Sequence, residues 1–254
     1  MIPPRTDFSI YEKFNFKYPP VGIKYLIKPP EGIEPLDKSM ALCEMVNEAQ
    51  QRGTPFYISK DNEDCGGKGT LGMVPGSPVA ESGQVGMKYG IFQEPRANGK
   101  MNQQAPRFPR GTVNYVAFAT LDKVPYEPDL TVFVATPAQA EILLRASSYS
   151  TGEIWTSRVS IVGACAWLFT YPYQSGKINY VPTSMTFGMR SRKVYPEGLI
   201  MLYVPFNWMP VITDNLHQME WVLPSYKDTR EQFLARHKVA MKELAEEFGL
   251  PGMH

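Results

Sequence analysis

One interval occurs twice in this chain and constrains how it can fold. Cys43 is followed by Gly53, the aromatic run Phe56-Tyr57-Ile58, and then Cys65 in a glycine-rich loop. Cys165 is followed by Gly176, by Ile178-Asn179-Tyr180-Val181, and then by Gly188 in Phe187-Gly188-Met189-Arg190-Ser191-Arg192. Glycine and loop are twelve residues apart both times. A duplicated unit of helix, strand and loop would give this spacing, although two matching intervals also arise by chance. With a pseudo-two-fold between the halves, Gly188 would stand where Cys65 stands, and Cys43, Cys65 and Cys165 would converge. The expected fold is α+β, with mixed sheets and helices packed on their faces. It is read as one domain over 1–254, with approximate halves 18–110 and 111–206 and a C-terminal amphipathic helix extension over 207–254.

Local patterns support short elements joined by structured loops, as 23 prolines and 20 glycines would suggest. Val21 to Ile27 reads as a strand stopped by Pro29-Pro30. Lys38 to Arg52 reads as a helix with Met40, Cys43 and Val46 on one face and Gly53 at its end. Further strands are expected at Phe56–Ser59, Gly86–Phe92, Val113–Thr120, Leu130–Ala135 and Leu199–Pro205, with a weaker one at Ile154–Ser160. Asn98 to Arg110 reads as loop. Thr136-Pro137 places a helix N-cap and first turn, and Gly163–Phe169 is favoured as a buried helical turn. Thr229 and Gln232 form a capping-box pattern ahead of an amphipathic helix to Phe248, ended by Gly249 and Pro251, with His237 expected in its buried face.

Charge and composition exclude some classes. Lys and Arg number 26 against 25 Asp and Glu, so the chain lacks the basic surplus of a nucleic-acid or anionic-membrane binder. Met1-Ile2-Pro3-Pro4-Arg5 lacks the layout of a signal peptide, and the most apolar run, Val159 to Tyr173, falls short of a membrane span. A cytoplasmic protein is expected. Three cysteines cannot all pair, and a reducing compartment opposes disulfides.

Three readings of the cysteines compete. Each is a small buried hydrophobe, which suits Cys43 and Cys165 better than Cys65, set among Asp64, glycines and Lys68. Alternatively Cys43, Cys65 and Cys165 hold an iron–sulfur cluster, with one iron open to water, substrate or Glu44. Zinc fits less well, since none of the three histidines lies near a cysteine in sequence. The third reading makes Cys65 a reactive thiol, its pKa lowered by Lys68, Arg190 and Arg192, though no nearby histidine supplies a base. The same three cations, Lys68, Arg190 and Arg192, would also bind a small anionic ligand, against the blander reading of a solvated charged loop. Gly66-Gly67-Lys68-Gly69-Thr70 lacks the spacing of a nucleotide phosphate loop.

An ordered set of motifs runs from Pro19-Pro20-Val21-Gly22-Ile23-Lys24 through Leu42-Cys43-Glu44, Cys65-Gly66-Gly67 and Asp129 to Gln139. It continues through Cys165, Tyr171-Pro172-Tyr173, Ser175-Gly176-Lys177 and Ser191-Arg192 to Val204-Pro205-Phe206. In this the chain resembles the DUF169 family of bacterial and archaeal proteins over about residues 18 to 206. The resemblance implies a cysteine-centred site and no particular activity. Such proteins often carry a cysteine at the position of Gly188, and many have glutamine where this chain has Glu44. The expected function is a cytosolic protein with a three-cysteine metal site for redox or small-ligand chemistry. The alternative is a metal-free accessory subunit docking onto an enzyme through its C-terminal region. No reaction is named by the sequence.

Overall fold

The computed structural model describes residues 6–250, so Met1 to Arg5 and Pro251, used above for the leader and the last helix end, lie outside the described residues. The chain forms two compact units, one up to His217 and one from Gln218. The fold is α+β, built on one seven-stranded mixed sheet. Its strands are β1 Tyr18–Leu26, β2 Glu34–Pro35, β3 Phe56–Ile58, β4 Tyr115–Thr120, β5 Leu130–Ala135, β6 Asn179–Pro182 and β7 Ile200–Pro205. The helices are α1 Leu42–Arg52, α2 Gly67–Thr70, α3 Pro78–Glu81, α4 Gln84–Lys88, α5 Pro95–Gln104, α6 Pro137–Ser148, α7 Tyr171–Ser175, α8 Phe187–Arg192, α9 Met209–Gln218 and α10 Arg230–Glu247.

The strand order is β2-β3-β4-β1-β5-β7-β6. With β2 set aside, it reads alike from both ends when β3, β4 and β1 are matched with β6, β7 and β5. The antiparallel pair β1–β5 lies at the centre, with Val21 opposite Val132 and Ile23 opposite Leu130. The two glycines of the repeated interval fall at equivalent places. Gly53 ends α1 with φ 64° and Gly176 ends α7 with φ 66°, each in the left-handed region that glycine tolerates. Each is followed by a strand and then a short helix, α2 in one half and α8 in the other.

Side-chain alternation sorts the strands into two faces. Val21 and Ile23, Val116 and Phe118, Leu130, Val132 and Val134, and Met201 and Tyr203 share one core with α1 and the turn before α7. Phe133 points to the opposite face, where Tyr11 and Phe16 pack on its ring. On that face Asn215 of α9 donates to the carbonyl of Ala146 in α6. Pro19-Pro20 adds no amide donors to β1, and the pairing with β5 shifts register between Tyr18 and Val21.

Several expectations need correction. Gly86–Phe92 is not a strand: α4 occupies its start, and Gly86 is closely approached by Asn98 and Phe92. Asn98–Gln104 is helical rather than loop, because Pro95 at the first turn opens α5. Residues 73–110 thus carry three short helices that pack on one another. Ile154–Ser160 forms no strand; its backbone lies beside β6, where Arg158 N donates to the Asn179 side chain. Helix α1 begins at Leu42, since Met40 is drawn into a backbone bridge with Glu63. His237 is exposed on α10, stacked on Phe233, and no residue of α10 is buried.

Candidate functional site

The three cysteines arrive on three unlike elements. Cys43 sits in the first turn of α1, 7% exposed. That turn is set by Glu44, whose carboxylate accepts from the Ala41 amide at 2.8 Å. Cys65 lies on the loop leading into α2. The loop is tied to the start of α1 by Met40 N to Asn62 O and Asp64 N to Met40 O. Cys165 precedes a wide π-helical turn, Ala166–Thr170, which leads directly into α7. Asn179 holds that turn by donating to the Trp167 carbonyl at 2.6 Å, and Trp167 donates to Ser160 Oγ at 2.8 Å. π-Turns recur at functional sites because they re-aim side chains within a helix.

Cys43, Cys65, Cys165 and Gly188 all line one cavity of about 540 Å³. Burial pushes the Cys43 thiol up to about 12, with Cys65 and Glu44 adding to it against Arg192. Burial likewise pushes Cys165 well up, and Cys65, Cys43 and Glu63 raise it further. The thiols therefore feel one another across the cavity wall. Cys65 is the open member, yet its pKa is also raised, mainly by burial and partly by Glu63 and Asp64, with the Gly66 backbone and Arg192 opposing. This corrects the expectation that neighbouring cations would lower it: the adjoining carboxylates and the partial burial outweigh them.

The predicted cations have other tasks. Arg192 donates to Glu44 Oε2 at 2.6 Å and pairs with Asp64 Oδ1 at 2.9 Å. One fork thus joins the Cys43 helix to the Cys65 loop, a geometry that guanidinium suits better than an ammonium. Arg190 forms an exposed pair with Glu197. Lys68 donates its amino group to the Glu63 carbonyl at 2.6 Å and lines the cavity.

Residues that sequence reasoning missed lie beneath the thiols. Glu63, 1% exposed, accepts from the Lys68 amide at 3.0 Å, while its Oε1 has no hydrogen-bond partner. Burial raises its carboxyl, against the amides of Lys68, Cys65 and Gly67. The glycine at 67 is required by closeness: a Cβ there would lie 2.7 Å from Leu42 Cδ1 and 2.8 Å from Glu63 Oε1. Tyr203 is fully buried with an unpartnered hydroxyl, and both Cys43 and Cys165 act on it electrostatically. Tyr25 donates to the Phe169 carbonyl at 2.8 Å, and burial raises its pKa, with Cys165 among the smaller contributors. No local pattern separates these tyrosines from ordinary core residues. Among the described residues, no group of three or more His, Cys, Asp or Glu side chains is arranged to hold a metal ion. None of the helices among them is long and apolar enough to cross a membrane.

An α+β domain with three free cysteines facing one cavity is the class of protein this geometry defines. The chain belongs to the DUF169 family, described as "Uncharacterised ArCR, COG2043", whose model matches residues 9–215. It is 28% identical over 184 residues to the Uncharacterized protein MJ0308 of Methanocaldococcus jannaschii, covering 69% of this chain and 76% of that one. No solved structure matches the chain.

Proposed function

We propose that this is a cytosolic cofactor- and ligand-binding protein in which Cys43, Cys65 and Cys165 hold an iron–sulfur cluster. One observation carries the reading: three cysteines from separate segments line a single cavity. The donor set suits the group, since thiolates select soft metals and clusters. Zinc suits the set less well, since the cavity lining among the described residues offers no histidine or fourth cysteine to complete a tetrahedron. A cluster spreads its ligands more widely. The partnerless Tyr203 hydroxyl supports the same reading, as a buried donor acted on by two of the thiols. When bound, such a group would supply electron transfer or a Lewis-acid iron. The chain's own part is to bring the thiols together, exclude water with apolar walls and leave the Gly188 side open.

Anaerobic reconstitution with iron and sulfide tests this. Stoichiometric iron and sulfide, broad visible absorbance, and loss of both in Cys43→Ser, Cys65→Ser and Cys165→Ser are expected. A colourless protein with three titratable thiols after reconstitution would refute it and favour an accessory subunit. That second reading has its own support in α10, where Phe233, Leu234, Val239 and Leu244 are exposed, as is Phe248 at its C-cap.

A further inference from the structure

Helix α10 carries a feature that the cysteine site does not use. It runs over 18 residues, Arg230–Glu247, beyond the stretch 9–215 that the family model matches. Phe233, His237, Met241, Leu244 and Phe248 follow one another three or four residues apart and so form one stripe, with Leu234 along its edge. That stripe is uncovered: Phe233, Leu234 and Leu244 are 44–46% exposed and Phe248 67%. Helices in proteins draw most of their stability from packing such a face. No residue of α10 is buried.

The charges indicate what covers it. Arg230, Arg236 and Lys238 outnumber Glu231 in the first half of α10, whereas Glu243, Glu246 and Glu247 outnumber Lys242 in the second. This order runs against the helix macrodipole, which favours acids at the start and bases at the end. The last turn carries no base. Only part of the imbalance is met nearby, where Arg236 pairs with Asp228 at 2.8 Å and Lys242 with Glu246 at 3.7 Å. Arg230, Lys238, Glu243 and Glu247 have no ion-pair partner among the described residues. A second α10 laid antiparallel sets each acidic half against a basic half and opposes the two dipoles. A parallel pair would set like halves together.

We infer that α10 is a self-association surface through which two copies of this chain pair antiparallel. Phe233, Leu234, Met241, Leu244 and Phe248 form the seam, and the opposite charges of the two halves flank it and fix its direction. The occupant is a second copy because the helix complements itself in reverse. This gives to that copy the face on which an enzyme would otherwise dock, and it is independent of what the cysteines bind. Two helices of this length, about 27 Å, make a contact at the small end of specific interfaces. A reversible dimer in the micromolar range is expected rather than a permanent one.

Sedimentation velocity of the full chain, from micromolar to submillimolar concentration, tests this. A monomer–dimer equilibrium is expected, and Leu234→Glu combined with Leu244→Glu should abolish it, with circular dichroism reporting the fold. Direction is tested with a charge-swapped chain carrying Arg230→Glu, Lys238→Glu, Glu243→Lys and Glu247→Lys. That chain should dimerise with itself yet form no mixed dimer with the wild type, since antiparallel pairing would then oppose like charges. Native mass spectrometry with one chain isotope-labelled reads the mixture. A wild-type chain that stays monomeric throughout would overturn the inference and leave the face to a different protein. A dimer that survives the paired leucine substitutions, or mixed dimers at the statistical proportion, would overturn it too. If the leucine variant fails to fold, the mixing experiment decides alone.

Discussion

Replacing Gly188 by cysteine probes the open side of the site directly. Gly188 lies in α8 with a φ outside the left-handed region, and a Cβ built there meets nothing within 4 Å. Neither strain nor collision therefore opposes the change. In a helix interior cysteine is favoured over glycine by about 0.3 kcal/mol, an upper bound for Gly188 in the first turn of α8. For a domain of this size that moves the melting temperature by about 1 °C. The new thiol would face the cavity that Cys43, Cys65 and Cys165 line. Even outer partners of metal ligands change affinity by about 10–100-fold, so a fourth thiolate should slow iron release by at least about tenfold. The assay is loss of visible absorbance in excess chelator after anaerobic reconstitution, with Gly188→Ser as a control of similar size and poorer softness. Slower release in Gly188→Cys alone is expected, together with weaker binding of any external ligand. A well-folded Gly188→Cys protein with wild-type iron content and release rate would refute the reasoning and leave Gly188 an ordinary helix residue.

Three further outcomes are expected. In the metal-free chain, Cys43 is raised from 9.0 to about 12, so its stabilising contribution is complete below pH 9 and is lost as pH climbs through 12, a span of about 4 kcal/mol; urea midpoints at pH 8 and 10.5 should fall accordingly, and Cys43→Ala should flatten that slope. Gly67→Ala should cost about 1–3 kcal/mol through collision with Leu42 and Glu63, whereas Gly66→Ala, with open space at its Cβ, should stay within about 0.5 kcal/mol on denaturant titration. Thr136→Ala removes the cap of α6, where Thr136 Oγ1 accepts from Gln139 N at 3.3 Å, and should cost about 1 kcal/mol in chemical denaturation while leaving iron uptake unchanged.

The elements most legible in the sequence are those whose signals are local. Leu130–Ala135 followed by Thr136-Pro137 was readable because a β-branched run, a cap and a first-turn proline stand side by side. The capping box at Thr229 and Gln232 was equally plain. Helices α3, α4 and α5 were obscured by glycine and proline, and what fixes them is mutual packing, including the approach of Asn98 to Gly86. The same limit applies at the site. Cys43, Cys65 and Cys165 could be singled out by type and setting. The task of Arg192 could not, since its partners Glu44 and Asp64 lie far away in sequence. The orphan hydroxyl of Tyr203 and the unpaired oxygen of Glu63 become visible only once the strands are laid side by side.

The central pairing of β1 with β5 has a consequence for how the site comes into being. One side of that seam supplies Cys43 and Cys65, and the other supplies Cys165. Neither half of the chain carries the whole thiol set. The pairing of Val21 with Val132 and of Ile23 with Leu130 joins distant parts of the chain, at the entropic cost of non-local closure, and it brings the two sides of the thiol set to one sheet. Until then each half exposes a bare apolar strand edge of the kind that recruits foreign strands. The thiol set is thus completed only by the second half of the chain, and a nascent chain emerging only as far as β4 offers a soft metal two sulfurs rather than three.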